Sequence, residues 1–132
     1  MVIIMGKARI FFLIIITSIL LSGCVTTEKK LMEEGNKPLT QNQLESLFSQ
    51  TRTINWKSAK GSTGTSIIRP DHTSEWKWSG GSGAGKWEIR GNRYCVIPND
   101  GNESCRTVFK TGDKEYTLFE SGSFKVRYTF NE

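Results

Sequence analysis

The stretch of sequence that decides the fold is Phe124-Lys125-Val126-Arg127-Tyr128-Thr129-Phe130. Aromatic and aliphatic residues take every second position, and charged or hydroxyl-bearing residues take the positions between them. Successive side chains of a β-strand point to opposite faces, so this alternation is typical of a sheet with one buried face and one face in water. The stretch therefore predicts a strand that has a core side and a solvent side.

Further strands are predicted before it, where β-branched and aromatic residues are separated by glycine-rich or polar turns. They are Thr53 to Ser58, Thr65 to Arg69, Ser74 to Ser79, Lys86 to Arg90, Arg93 to Ile97, Ser104 to Lys110 and Glu115 to Phe119. A connection as short as Gly91-Asn92 joins only antiparallel neighbours. The predicted fold is therefore mainly β, an antiparallel meander of about eight strands that curls into a small barrel or a bent sheet. A closed sheet of that size has an interior that side chains fill or that holds one small ligand.

A short helix is predicted before the strands, from Pro38 to Ser49. Thr40 at the N-cap and Gln43 three residues later match a capping box, and Leu39 and Leu44 match the hydrophobic staple around it. We expect this helix to cover an open end or a flank of the sheet. Residues 39 to 132 are thus predicted to form one domain, a helix plus a barrel-like sheet.

The N-terminal region has a short positive segment with Lys7 and Arg9, an apolar run from Ile10 to Leu21, and then Leu21-Ser22-Gly23-Cys24. This arrangement resembles the signal peptide and lipobox of bacterial prolipoproteins. The apolar run is shorter than the ~20 residues of a membrane-spanning helix, and small residues with a cysteine follow it. The resemblance implies that residues 1 to 23 are removed and that Cys24 becomes a lipidated N-terminus.

The lipoprotein resemblance also implies a partner and a location. Acyl chains on Cys24, palmitate among them, attach such a protein to a membrane. Val25 follows the cysteine, whereas the best-known lipoproteins of the inner membrane have aspartate there. The expected location is therefore the periplasmic face of the outer membrane of a Gram-negative bacterium. Residues 24 to 38 are rich in charge and poor in apolar pattern, and they are predicted to be a lipidated, flexible tether.

The other two cysteines, Cys95 and Cys105, form a pair in an oxidising compartment once Cys24 is assigned to lipid. Between them lies Pro98-Asn99-Asp100-Gly101, a sequence that favours a tight turn. A hairpin centred on Asp100 places the two cysteines opposite each other, at a separation that a disulfide spans. The sequence therefore predicts a disulfide across a hairpin.

Two groups of residues are candidate binding elements. Trp76 and Trp78 share one face of a predicted strand, and such aromatic faces stack on sugars, although a barrel core also needs large apolar side chains. The segment from Gly80 to Gly85 is predicted to be a flexible hairpin connection. The candidate binding loop that it forms with the following residues consists of Ser82, Gly83, Lys86 and Trp87.

No cofactor, metal, nucleic acid or catalytic residue is predicted. The glycine segment has the Gly-x-x-x-x-Gly-Lys spacing of a phosphate-binding loop, but Trp87 stands where serine or threonine binds magnesium, and two strands flank it. His72 is the only histidine, and no nucleophile elbow or set of metal ligands accompanies it. The formal charge of +5 comes from basic residues that are dispersed among acidic ones. The protein is therefore not expected to be an enzyme.

Two runs in the predicted barrel, Gly85 to Cys95 and Cys105 to Tyr116, contain Gly-x-Trp, Cys-x-x-Val-aromatic and Gly-Asp elements. They resemble a proteobacterial family of small exported domains of unknown function, which implies an architecture and no reaction. The segment from Ser82 to Trp87 is also similar to the Ser-Gly-x-x-Tyr-like loop of inhibitors of C-type lysozyme, with one extra residue and Trp in place of Tyr. The predicted function is an envelope-associated binding module whose partner is an envelope protein, a glycan or a small ligand. The alternative is an inhibitor of a hydrolase such as C-type lysozyme.

Overall fold

The computed structural model describes residues 27 to 131 of the 132-residue chain. Two short helices come first, α1 (Glu28–Glu33) and α2 (Gln41–Leu47). The strands that follow are β1 (Arg52–Ser58), β2 (Thr63–Ile68), β3 (Thr73–Trp78), β4 (Gly81–Arg90), β5 (Arg93–Pro98), β6 (Ser104–Lys110), β7 (Glu115–Glu120) and β8 (Ser123–Phe130).

The eight strands form a closed antiparallel barrel. Each strand pairs with its neighbours in sequence, and β1 also pairs with β8, which closes the sheet. The predicted meander is confirmed. The sequence left open whether it forms a barrel or a bent sheet, and the structure is a barrel. In β8 the alternation has the predicted effect from Val126 onward: Val126, Tyr128 and Phe130 are buried, while Lys125 and Arg127 are exposed. Phe124, also predicted on the core side, instead packs with Phe119 on the outer wall, because the β7–β8 register shifts at Leu118/Phe119.

Strand direction gives this barrel two different ends. One end, called the open end below, carries the connections 59–62, 79–80, 99–103 and 121–122. The other end, called the closed end, carries the connections 69–72, 91–92 and 111–114, and α2 lies against it. The two ends are therefore built from different turns of the same strands.

The closed end is plugged by α2 together with its C-cap residue Phe48. The predicted capping box is present: the Gln43 N–H donates to Thr40 Oγ1 at 3.3 Å, and the Thr40 N–H donates to Gln43 Oε1 at 2.9 Å. Leu44 and Phe48 are buried, and the Phe48 ring stacks on Tyr94 with the ring centroids 4.8 Å apart. The capped helix thus holds one aromatic ring inside the end of the barrel.

The segment predicted to be a flexible tether differs from that expectation, because α1 lies within it. Leu31 of α1 is buried against three aromatic side chains on the outer wall of the barrel, and Thr107 Oγ1 donates to Glu28 Oε1 at 2.8 Å. The three aromatic residues are Phe109, Phe119 and Phe124. Two adjacent apolar residues, Leu31 and Met32, in a short charged run create no helical periodicity, so the sequence pattern does not reveal this contact. The lipidation site predicted at Cys24 lies outside the described residues.

The predicted disulfide between Cys95 and Cys105 is present, with an S–S distance of 2.08 Å. The two cysteines are register partners of β5 and β6, as a hairpin around Asp100 requires. Among the described residues, no helix has the length and apolar character needed to cross a membrane.

Candidate functional site

A cavity of about 280 Å³ lies inside the barrel and reaches its open end, while Ile68 and Ser74, beside the closed-end connection 69–72, also line it. Its lining includes Ser58 and Pro98, the last residues of β1 and β5, and Val126 near the start of β8, all of which belong to the open end. Tyr94 also lines the cavity and, through its stacking on Phe48, separates it from the plug of the closed end. The cavity is at the small end of the range for sites that bind small molecules.

Two tryptophans form much of the cavity wall, and a glycine stands opposite each of them. Trp56 of β1 pairs with Gly64 of β2, and Trp76 of β3 pairs with Gly83 of β4. A Cβ atom on Gly64 would lie 2.3 Å from Trp56 Cζ2, and one on Gly83 would lie 2.3 Å from Trp76 Nε1. Each indole therefore occupies the space of the missing side chain and lies against the strand backbone. Because both indoles lie against the strand backbone, space remains open in the centre of the barrel.

Trp78 lies on the same face of β3 as Trp76 but nearer the open end. It is 39% exposed, and a Cβ atom on Gly80 would lie 2.7 Å from its Nε1. Of the two tryptophans predicted to form an aromatic ligand face, Trp76 thus lines the cavity and Trp78 lies outside the set of cavity-lining residues. Their shared role in ligand binding stays a prediction.

Basic and hydroxyl groups make up the polar part of the cavity. Arg106 Nη1 donates to the Tyr128 hydroxyl at 3.4 Å, and Arg106 Nε donates to Ser104 Oγ at 3.1 Å. Tyr94, the register partner of Arg106, is fully enclosed. Burial raises the pKa of the Tyr94 hydroxyl well above its usual value, and Tyr128 adds to that shift while Arg106 opposes it. Tyr94 is therefore a neutral hydroxyl at physiological pH.

Two buried polar atoms at the cavity have no hydrogen-bond partner among the described residues: Trp56 Nε1 and Ser74 Oγ. Ser74 is only 3% exposed. A buried polar group without a partner costs on the order of 1–3 kcal/mol, so native proteins seldom leave one without a reason. One such reason is a ligand site, where the bound ligand supplies the missing hydrogen-bond partner.

Comparison with known proteins does not identify the chain: no protein family, curated protein or solved structure matches it. The resemblances described above therefore remain predictions.

The residues predicted to form a binding loop, Ser82 to Trp87, do not form a loop, because they belong to β4. Their role in binding stays a prediction. Trp87 is 3% exposed inside the barrel, where its Nε1 donates to the Arg69 carbonyl at 2.8 Å. Gly83 lies behind Trp76, and Ser82 and Lys86 are exposed on the outer wall. Gly83 has no side chain, so the Trp76 indole can lie close to the backbone of β4. In the sequence, the glycines of this segment had suggested a turn instead.

No catalytic or metal-binding group was predicted, and two clusters that resemble such groups have structural explanations. Cys95, Glu103 and Cys105 bring their ligand atoms within 4.8 Å of one another, but both sulfur atoms belong to the disulfide. Asp71 Oδ1 accepts hydrogen bonds from the backbone N–H and the hydroxyl of Thr73, which lower the Asp71 pKa. His72, next to it in sequence, stacks on Trp87 with the ring centroids 4.3 Å apart. The hydrogen bonds of Asp71 thus stabilise the turn at connection 69–72.

Proposed function

We propose that this protein is a lipid-anchored, non-enzymatic envelope protein whose barrel binds a small, largely apolar ligand through its open end. The observation that carries the proposal is the cavity itself. Its walls are mostly aromatic and aliphatic, it reaches the open end, and two buried polar atoms in its lining have no partner within residues 27 to 131. A concave apolar site with a few polar groups is the usual form of a small-molecule site.

The outer wall of the barrel offers a weaker case for ligand binding. Some of its charged side chains form ion pairs with each other, such as Arg127 with Glu115 at 3.5 Å and Lys125 with Glu120 at 3.4 Å. The largest apolar cluster on that wall is already covered by Leu31. The interior therefore supports a ligand site better than the exterior does.

The membrane anchor in this proposal depends on the lipobox-like sequence that ends at Cys24. Metabolic labelling with radioactive palmitate tests it directly. We expect the wild-type protein to be labelled and Cys24→Ala to be unlabelled and retained as a precursor. Labelling of Cys24→Ala at the wild-type level would show that the anchor is elsewhere.

The alternative function, inhibition of a C-type lysozyme, requires a protruding loop at residues 82–87. Those residues lie in β4, with Trp87 in the core. No observation on the described residues favours this alternative, and we do not propose it.

Binding to the cavity can be tested with N-phenyl-1-naphthylamine, a neutral dye that fluoresces in apolar sites. The barrel, its plug helix and its disulfide all lie within residues 27 to 131, so a chain that begins at Val25 retains the whole fold. We expect saturable binding of the dye, with energy transfer from tryptophan. Trp56→Phe and Trp76→Phe should each reduce that transfer, because both indoles line the cavity.

A matched pair of variants locates the dye. Ser66 is buried and lines the cavity, whereas its neighbour Thr65 is exposed on the outer wall. Ser66→Phe should abolish dye binding and Thr65→Phe should leave it unchanged, with thermal unfolding used to confirm that both variants fold. Equal binding by both folded variants, or no saturable binding by the wild type, would contradict the proposal.

A further inference from the structure

We infer that the ligand of this cavity is a small monoanionic amphiphile, an apolar body that carries one carboxylate or similar group, with Arg106 as its counterion. The inference rests on the proposed function, because it names the ligand class of the same site. It follows from three properties of the lining: its charge, its unpartnered donor groups and its size.

The charge of the lining is positive. Arg106 and Lys125 contribute to it, and no aspartate or glutamate lines the cavity in the part of the chain that the structure describes. Lys125 pairs with Glu120 on the outer wall at 3.4 Å. Arg106 makes no ion pair among the described residues, and its hydrogen bonds go to two neutral hydroxyls. A half-buried guanidinium in an apolar cavity lacks its usual carboxylate partner, and an anionic ligand supplies one.

The hydrogen-bonding groups of the lining favour acceptors on the ligand. The Arg106 guanidinium and the indole N–H of Trp56 are donors only, and the unpartnered Ser74 hydroxyl also has a proton to donate. Among the described residues, the lining has no side-chain carboxylate or amide, and its side-chain acceptors are serine and tyrosine hydroxyls, which can also donate. A carboxylate has only acceptors, so it can take a proton from each of these groups. The lining therefore suits an anionic ligand.

The size and walls of the cavity limit the rest of the ligand. About 280 Å³ suits a single short chain or a small ring system, and it is far too small for a two-chain phospholipid. Indole and aliphatic side chains, among them Trp56, Trp76 and Val96, provide apolar contact for that body. The ligand is therefore a free amphiphile and not an intact membrane lipid.

Competition with the neutral dye tests the ligand class. Decanoate and decanol have the same chain and differ in charge, so each is titrated against bound N-phenyl-1-naphthylamine. We expect decanoate to displace the dye from the wild type at a lower concentration than decanol. Arg106→Gln should weaken displacement by decanoate about tenfold or more and leave displacement by decanol unchanged, because only the anion loses a charge-assisted contact.

Two further variants show whether the effect of Arg106→Gln comes from the loss of its charge or from a change in the fold. Arg127→Gln removes an arginine from the outer wall and should retain the wild-type preference for decanoate. Arg106→Lys should retain a reduced preference, because lysine keeps the charge but not the two-pronged geometry. Equal displacement by both amphiphiles in the wild type, or an unchanged preference in Arg106→Gln, would overturn the ligand class while the dye site stands. Failure of both amphiphiles to displace bound dye would overturn it as well. Absence of dye binding would remove the proposed function and the ligand class together.

Discussion

The two ends of this barrel use aromatic side chains in opposite ways. At the closed end, Phe48 of the plug stacks on Tyr94, and its ring centroid lies 5.5 Å from that of Trp87. Toward the open end, Trp56 and Trp76 lie against glycines and leave a cavity between the walls. The same strands thus support a packed core and a cavity, and the glycines opposite Trp56 and Trp76 give those two rings room to lie against the wall.

Under the proposed function, stability and binding belong to different halves of one small domain. The packed half excludes water from large rings, which stabilises the fold. The cavity half gives up part of this stabilisation, because it leaves space and buries polar atoms that have no partner among the described residues. This division predicts that substitutions at the two ends change the free energy of unfolding by different amounts. Substitutions at the cavity should also change ligand binding.

The largest expected effect is at the plug. Phe48 is 2% exposed, so Phe48→Ala removes a buried ring and leaves a cavity at the closed end. We expect the free energy of unfolding to fall by about 3–5 kcal/mol, measured by urea denaturation of the chain that begins at Val25. Trp78→Ala is the comparison at the open end, where the ring is 39% exposed, and it should cost less than about 1 kcal/mol. Similar losses in the two variants would show that the ends do not differ in packing.

The sequence predicted the barrel well because its strands follow a local rule. Alternation in β8 and short turns identified the strand set, and Ser104–Lys110 was predicted with the bounds that the structure has. The cap of α2 was predicted from Thr40 and Gln43 for the same reason, since capping needs only neighbours in sequence. The disulfide followed from a turn and a count of cysteines.

The cavity could not be predicted, because it depends on which residues face each other across strands. The glycines of β4 indicated a turn, although one of them makes room for Trp76. A signal was present in the spacing: once strands are paired antiparallel around Ser79-Gly80, Trp76 and Gly83 become cross-strand partners. The packing of α1 on the barrel wall likewise depends on long-range contact of a single leucine, Leu31.

The next largest effect is expected where a glycine makes room for an indole. Gly83→Ala would place a methyl group 2.3 Å from Trp76 Nε1 and 2.6 Å from Trp76 Cε2, so the ring must move into the lumen. We expect a loss of about 1–3 kcal/mol in unfolding free energy and weaker binding of the neutral dye. Gly101→Ala, whose nearest contact would be Pro98 Cβ at 3.3 Å in an exposed connection, should change neither quantity much.

A double variant tests whether the ring is the cause. In a Trp76→Ala background the Gly83→Ala substitution meets no indole, so its cost should nearly vanish and the two effects should be clearly non-additive. Additive losses would indicate that Gly83 is needed for the strand backbone and not for the indole. In that case the open space in the cavity would need another explanation.

The smallest expected effect compares two buried hydroxyls, one at the cavity and one beside the closed-end connection 111–114. Ser74 Oγ has no partner among the described residues, whereas Thr117 Oγ1 lies 2.9 Å from Thr111 Oγ1 in a hydrogen bond. Ser74→Ala should leave the unfolding free energy unchanged or raise it by up to about 1 kcal/mol, because it removes a polar group that only costs free energy in the unliganded protein. Thr117→Val should lower it by about 1 kcal/mol, because it removes a hydrogen bond that is made. Urea denaturation of both variants checks the difference in sign. A loss in Ser74→Ala as large as that in Thr117→Val would mean that the Ser74 hydroxyl already has a hydrogen-bond partner, which would leave Trp56 Nε1 as the unpartnered group of the cavity among the described residues.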